Sequence, residues 1–418
     1  MASKLVHNSA KLLSANVFAQ AIGLAVYPIL TRLYTPENFG VLNLFLSISG
    51  VFILLATIDY QQAIVLPKEE KKSIAVVHLC LLIALLVSGV VLLSVPFAGT
   101  IAELFKTPAL KEWYLLLPLY ILVMAGWNIL SYWYIRHAEY NRNSGYQVLQ
   151  SSLGAGMKIG LGYGGYLQGG MIVSSVVAPL IALLTSCMLA WRKHIRPLLS
   201  INRDEVREVA QTYRKFPVYS FPSSLLNMLS AQLPVLLLTP VFGNAEIGLW
   251  SMAVLLGFAP LSMISKTLNQ TLYQHTTDLI HQGQDVRPLY RRVSMWGIGI
   301  IAPCFAILWW ILPQLTTFLL GNEWEPTGQI LRWMLPWLAA NTLTASTGFL
   351  AGIYFKQQIE LLFEILLILL RLCAIGVGIY TADFETFTIL YSIASFAVAA
   401  AHYIWLMMLI KRSSTASQ

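Results

Sequence analysis

Polar and apolar residues along this chain fall in long blocks. Apolar stretches of about 20 residues, each long enough as a helix to cross ~30 Å of hydrocarbon, recur at about 11–31, 41–65, 74–95, 113–135, 146–166, 170–191, 218–241, 248–272, 293–312, 329–354, 358–379 and 386–410. Short polar segments such as "PKEEKK" (67–72) separate them. Backbone polar groups cannot go unpaired in lipid, and strand alternation is absent. The pattern therefore predicts an all-α polytopic membrane protein of twelve transmembrane helices.

Composition points the same way. The chain is 57% hydrophobic and 11% charged, against about 25% charged for a soluble domain. Residues 1–10 are polar and the first apolar run is of full span length, so no cleavable signal peptide is expected. Cys80, Cys187, Cys304 and Cys373 all lie inside spans. Their spacing fits neither a disulfide framework nor a zinc site, and no metal site is expected.

Of the 27 Lys and Arg, twenty fall in loops on the side of the two termini. Three, Arg32, Lys106 and Lys111, fall on the other side, and four lie within spans. Basic loops stay in the cytoplasm, which places both termini there. The net charge of +8 is then mostly a topology signal, and its scatter over short loops argues against a nucleic-acid partner.

The longest loop, 192–216, contains "RDEVREVAQTYRK", the pattern of a short surface helix. It divides the chain into an N-terminal six-helix lobe (1–195), a cytoplasmic linker (196–216) and a C-terminal six-helix lobe (217–418). The lobes resemble each other: "TRLYTPENFG" (31–40) aligns without gaps to "TPVFGNAEIG" (239–248), an offset of 208. Ala19-Gln20 finds a counterpart in Ala231-Gln232, and Pro118 in Pro336. An even number of spans per repeat predicts a pseudo-twofold axis along the membrane normal. In the fifth span Gly156, Gly160 and Gly164 form a GxxxGxxxG stripe, which predicts close approach of another helix.

Ionisable residues within a membrane usually pair or face a water-filled cavity. Here they are Asp59, Lys158, Lys266, Glu364 and Arg371, with Arg32 and Arg332 near outer span ends. The cationic excess suits an anionic substrate such as a phosphate group. Arg32, Lys158, Arg332 and Arg371 are the expected substrate-binding cations of one cavity. Asp59, Lys266 and Glu364 are the candidates for a gate or for ion coupling. Under the offset of 208, Asp59 falls on Thr267, beside Lys266, so the two could close a gate between the lobes. No catalytic constellation appears: the His are dispersed, no paired carboxylates stand on an outer loop, and no Gly-Lys phosphate loop is present. An enzyme is not expected.

"YPILTRLYTPENFGVLNLF", "YQQAIVLPKEEKKSIAVVHLCL", "SYWYIRHAEYNRNSGYQVLQS", "YRKFPVYSFPSSLLNMLSAQLPVLLLTPVFG" and "GNEWEPTGQILRWMLPW" resemble the bacterial polysaccharide transporter family, the Wzx-type flippases of the multidrug/oligosaccharidyl-lipid/polysaccharide (MOP) exporter superfamily. The resemblance runs over nearly the whole chain and implies a MATE-like fold of two six-helix lobes. It implies a substrate, an undecaprenyl-diphosphate-linked oligosaccharide for O-antigen, capsule or exopolysaccharide, turned from the cytoplasmic to the periplasmic leaflet of the inner membrane by alternating access. It also implies no bound cofactor, a coupling ion (H+ or Na+), contact with membrane lipid, and a polysaccharide polymerase and chain-length regulator as partners. Two other readings stand beside it. A drug/cation antiporter of the same superfamily would want acidic residues in its pocket, and a polymerase or ligase would want a large outer loop.

Overall fold

The computed structural model of the chain describes residues 23–199, 203–282, 284–354 and 356–413. The part of the first predicted span before Gly23 lies outside the described residues. Among the described residues the regular structure is helical throughout, and nine helices are long and apolar enough to cross a membrane. The chain packs as two units, Met1–Gly248 and Leu249–Gln418.

The first unit begins with α1 (Gly23–Leu33), α2 (Pro36–Leu55) and α3 (Glu70–Leu93). Two short helices follow, α4 (Ala98–Leu104) and α5 (Ala109–Trp113), then α6 (Leu116–Arg136), α7 (Tyr140–Tyr163) and α8 (Leu167–Leu189). The unit continues through α9 (Arg203–Thr212) and α10 (Phe221–Phe242) into the start of α11 (Asn244–His281). The second unit holds the rest of α11, then α12 (Arg287–Leu320), α13 (Glu325–Thr347), the short α14 (Phe349–Ile353), α15 (Gln357–Thr381) and α16 (Phe384–Ser413). Every predicted span after the first overlaps a described helix, although 41–65 runs past the end of α2 and 329–354 runs from α13 into α14. Spans 146–166 and 329–354 fall on α7 and α13, which are full length but less apolar than the nine.

Burial runs as a lipid solvent requires. Large apolar side chains point outward, among them Leu86 on α3 and Trp310 and Phe318 on α12. Almost none of the apolar window of α12 is buried. Aromatic residues fill the interior instead: Tyr34, Phe45, Trp133 and Tyr134 in the first unit, Tyr290, Trp324, Phe387 and Tyr391 in the second. Pro36 at the first position of α2 has its φ already set for a helix. The Thr35 N–H just before it donates to Asn38 Oδ1 at 3.2 Å.

Three local features differ from the expectation. The span predicted at 41–65 is not one helix. It stops at Leu55, turns through Ile58 (φ 45°) and Asp59 (φ 61°), and resumes as a 3₁₀ segment, Tyr60–Val65. Tertiary hydrogen bonds replace the helix here: Arg136 donates to the carbonyls of Ile64 (3.3 Å) and Pro67 (2.6 Å). The glycine stripe of α7 also packs differently. Gly156 and Gly160 face open space, while close approach occurs at Gly162, against Leu33 and Tyr34, and at Gly170 on α8, against the Tyr34 hydroxyl. Glycine spacing alone does not say which face of a helix is covered. Finally, the surface helix expected in 192–216 is α9, and it is docked. Val206, Val209, Ala210 and Tyr213 pack on the core that includes α3, and Tyr60 Oη donates to the Ala210 carbonyl at 2.9 Å.

The α6–α7 turn, through Ala138 (φ 55°), gathers charge. The Glu139 carboxylate meets Arg142 Nε at 2.5 Å, the Lys193 ammonium, and His194 Nε2 at 2.8 Å. His194 is buried, and its Nδ1 accepts from the Trp133 indole N–H at 3.2 Å, which fixes the proton on Nε2.

Candidate functional site

Within the second unit, α11 places Phe258, Ser262, Lys266 and Gln270 at four-residue spacing, so all four lie along one face of the helix. On α13, Leu338, Asn341 and Ala345 form a matching stripe. Between them lies a cavity of about 430 Å³, lined by both stripes and by Asn269. That volume is within the range of small-ligand pockets.

Two bonds tie the walls together. Asn269 Nδ2 donates to the Ala345 carbonyl at 2.8 Å, and Ser265 Oγ to the Thr342 carbonyl at 3.4 Å. This leaves Asn269 Oδ1, the amides of Gln270 and Asn341 and the Lys266 ammonium for a ligand. Lys266 is the one charged residue lining the cavity among the described residues. Amides both donate and accept, which matches hydroxyl groups, and the ammonium adds a single positive charge.

An aromatic wall closes one edge. Phe258 meets Trp337 edge-on at 4.8 Å. Behind Trp337 lies Arg371, its guanidinium 5.1 Å from that ring and 4.8 Å from Tyr391. Arg371 is buried, and its Nε donates to Ser395 Oγ at 3.1 Å. Arg332, one turn before Pro336, lies 5.6 Å from each of Trp309 and Trp333. Neither arginine lines the cavity; each is held against aromatic faces. Glu364 is half-buried on α15, one turn from Glu360.

The first unit holds the remaining residues singled out from the sequence. Arg32 is exposed on α1. Lys158 shares a face of α7 with Gly154 and Gly162, which pack against Ala178 and against Leu33 and Tyr34. Its carbonyl accepts from Tyr34 Oη at 2.7 Å. Asp59 is 2% exposed. Its Oδ2 accepts from Ser224 Oγ on α10 at 2.6 Å, and its Oδ1 from Gln61 Nε2 at 3.2 Å.

The residues that sequence reasoning missed are mostly uncharged: Asn269, Gln270 and Asn341 in the cavity, Trp337 and Tyr391 around Arg371, and Ser224 at Asp59. Only the polar run "KTLNQ" (266–270) in an otherwise apolar helix signalled the first of these.

Comparison with known proteins agrees with the architecture. Residues 29–329 match the family model described as "Polysaccharide biosynthesis protein". A curated relative, the succinoglycan biosynthesis transport protein ExoT of Rhizobium meliloti (strain 1021), is 20% identical over 305 residues. That alignment spans 73% of this chain and 60% of the relative, less than two thirds of its length. Among solved structures, an inward-facing multidrug resistance MATE family transporter of the MOP superfamily superposes with a TM-score of 0.72, at 15% identity over 96% of both chains. A MOP superfamily transporter from Pyrococcus furiosus superposes at 0.56, also at 15% identity over 96% of both. The chain thus belongs to the polysaccharide biosynthesis protein family and has the all-helical, multi-pass membrane fold of the MATE transporters in the MOP superfamily.

Proposed function

We propose that the chain is a transporter, not an enzyme, that turns an undecaprenyl-diphosphate-linked oligosaccharide from the cytoplasmic to the periplasmic leaflet of the bacterial inner membrane. It works by alternating access between two six-helix lobes, 1–195 and 217–418, joined by the 196–216 linker. Both termini are cytoplasmic, and H+ or Na+ drives the cycle. The observation that carries this reading is the α11–α13 cavity, with its one ammonium, its amides and its aromatic edge. Gln270, Asn341 and the Asn269 carbonyl suit sugar hydroxyls, and Lys266 suits an anionic group. Arg32, Lys158, Arg332 and Arg371 add positive potential along the path. The family match and the relative's role in succinoglycan biosynthesis transport support a polysaccharide precursor as cargo.

A drug/cation antiporter would need a carboxylate facing the ligand. The cavity lining holds a lysine and no acid, which favours the glycan. The test is a competition assay on the purified protein, with a diphospholipid-linked glycan against a cationic dye. Binding of the glycan lipid that weakens at least roughly tenfold in Lys266→Gln, as loss of a charged hydrogen bond predicts, supports the proposal. Preferential binding of the dye, unaffected by that substitution, contradicts it.

A further inference from the structure

The end of the α8 span carries a turn wider than an α-helix. The apolar window Gly169–Leu189 stops just before a π-helical turn, Trp191–Ile195. That turn is pinned from beneath. The His194 side chain is buried, held between the Trp133 indole and the Glu139 carboxylate. The backbone N–H groups of His194 and Ile195 both donate to the Ala190 carbonyl, at 2.8 and 3.3 Å. With His194 fixed inside, the three residues before it, Trp191, Arg192 and Lys193, all stand at the surface. Turns of this kind recur at functional sites.

A cavity of about 480 Å³ lies against the turn, lined by Met188, Leu189, Trp191, Arg192 and Lys193. Its two sides differ in chemistry. On the membrane side, Ile181, Leu184 and Met188 follow at spacings of three and four residues and form one exposed apolar stripe along α8, with Met188 itself 74% exposed. On the other side stand a guanidinium and an ammonium, and the exposed Trp191 ring joins the two. Charge on this face is unbalanced. Lys193, His194 and Arg142 share the single Glu139 carboxylate, and Arg142 also donates to the Leu189 carbonyl at 3.3 Å. Arg192 forms no ion pair among the described residues.

We infer that this turn is a binding site for an anionic phospholipid. The phosphate bridges Arg192 and Lys193, the Trp191 indole N–H donates to the glycerol ester oxygens, and one acyl chain lies along Met188, Leu184 and Ile181. Guanidinium offers paired donors to phosphate oxygens, and an indole suits the boundary between hydrocarbon and headgroups. A basic pocket at the end of a span is the kind of place where an acidic headgroup is held. An acidic peptide would leave the apolar stripe uncovered, and a zwitterionic headgroup would set its own ammonium against Arg192 and Lys193. Because Lys193 also holds Glu139, the bound headgroup and the α6–α7 turn share one ammonium. The site requires only that the chain span a bilayer, so it is independent of the transport reading.

The experiment uses the full-length protein in detergent. It is titrated with short-chain phosphatidylglycerol, with phosphatidylcholine of the same chains, with inorganic phosphate and with a polyglutamate peptide. Bound ligand is counted by native mass spectrometry, and melting temperature is followed in parallel. Phosphatidylglycerol should bind saturably at one site per chain. Its affinity should fall about tenfold in Arg192→Gln, as loss of a charged hydrogen bond predicts, and several-fold in Trp191→Ala. It should raise the melting temperature of the wild type, and that rise should shrink in Arg192→Gln. Arg207→Gln, which removes an exposed charge from α9, should bind like the wild type. Equal affinity in wild type and Arg192→Gln overturns the site. An equal loss in Arg207→Gln also overturns it, because diffuse attraction between basic residues and acidic lipid would then suffice. Phosphatidylcholine, phosphate or polyglutamate binding as tightly as phosphatidylglycerol overturns it as well, since the cations would then serve another ligand. Should Trp191→Ala fail to fold, the comparison of Arg192→Gln with Arg207→Gln decides alone, both being changes of exposed side chains.

Discussion

Gly40 lies directly on the backbone of Asn244: a Cβ at Gly40 would overlap the Asn244 carbonyl oxygen. The relation is reciprocal. A Cβ at Gly248 would overlap the carbonyl of Pro36. Under the offset of 208, Gly40 corresponds to Gly248 and Pro36 to Asn244. Two repeat-equivalent helix starts within the first unit, those of α2 and α11, thus touch through the same pair of positions exchanged.

Gly40→Ala and Gly248→Ala should therefore each be severe, costing about 3 kcal/mol or more, because each pushes backbone from backbone. Gly89 on α3 has nothing within 4 Å of its Cβ position. Gly89→Ala should be neutral, or stabilising by up to about 1 kcal/mol from helix propensity. Thermal unfolding of the three variants in detergent checks the contrast.

Acid should loosen the α6–α7 turn in two stages. Burial pushes the His194 imidazole below its ordinary value, and the neighbouring Glu139 only partly opposes this. Protonation would also put a donor on Nδ1, facing the Trp133 N–H. The unfolded chain thus binds this proton more readily, and stability present above about pH 6.5 falls as pH drops below it. Burial raises the Glu139 carboxyl, but Lys193, His194 and Arg142 outweigh it and hold it at about 2. Its contribution is complete above about pH 4.5 and lost as pH falls towards 2. Melting temperature against pH should flatten in the upper window for His194→Gln and in the lower for Glu139→Gln.

The Arg371 cage should discriminate between cations. Trp337 and Tyr391 stack on a planar guanidinium, and each contact is worth about 0.5–2 kcal/mol. Arg371→Lys should keep the charge yet lower export, and Arg371→Gln should lower it further, with membrane insertion unchanged by blotting. Equal export from all three would show that the cage does not serve transport.

Docking of α9 should depend on its apolar face. Val209→Asp places a charge in the buried contact and should cost about 3 kcal/mol. Glu208→Ala removes only the exposed partner of Lys72 and should leave stability unchanged. Proteolytic cleavage within 200–215 should accelerate in the first variant alone.

What the sequence revealed follows from what generates each feature. Span positions after the first were legible because hydrocarbon thickness imposes a length on every helix, and "TRLYTPENFG" against "TPVFGNAEIG" marked the pair of helix starts that meet. The break at Asp59 was not legible. Apolar residues continue to Leu66, and the turn depends on Ser224 and Arg136, far away in the chain. The intramembrane charges drew attention to Lys266 and Arg371. Charge alone did not show that Lys266 lines a cavity while Arg371 stands behind Trp337, because that depends on helix rotation. Asn341 carried no warning, since a single amide in a long helix also serves as a packing residue.

The most direct test is translocation itself. The purified protein is reconstituted in vesicles carrying an undecaprenyl-diphosphate-linked oligosaccharide in one leaflet, and the glycan's access to an impermeant lectin or glycosidase is followed in the other. The account predicts protein-dependent exposure of the glycan that slows at least about tenfold in Lys266→Gln and in the double variant Gln270→Ala/Asn341→Ala. Exposure no faster than in protein-free vesicles, or equally fast in wild type and both variants, would contradict it.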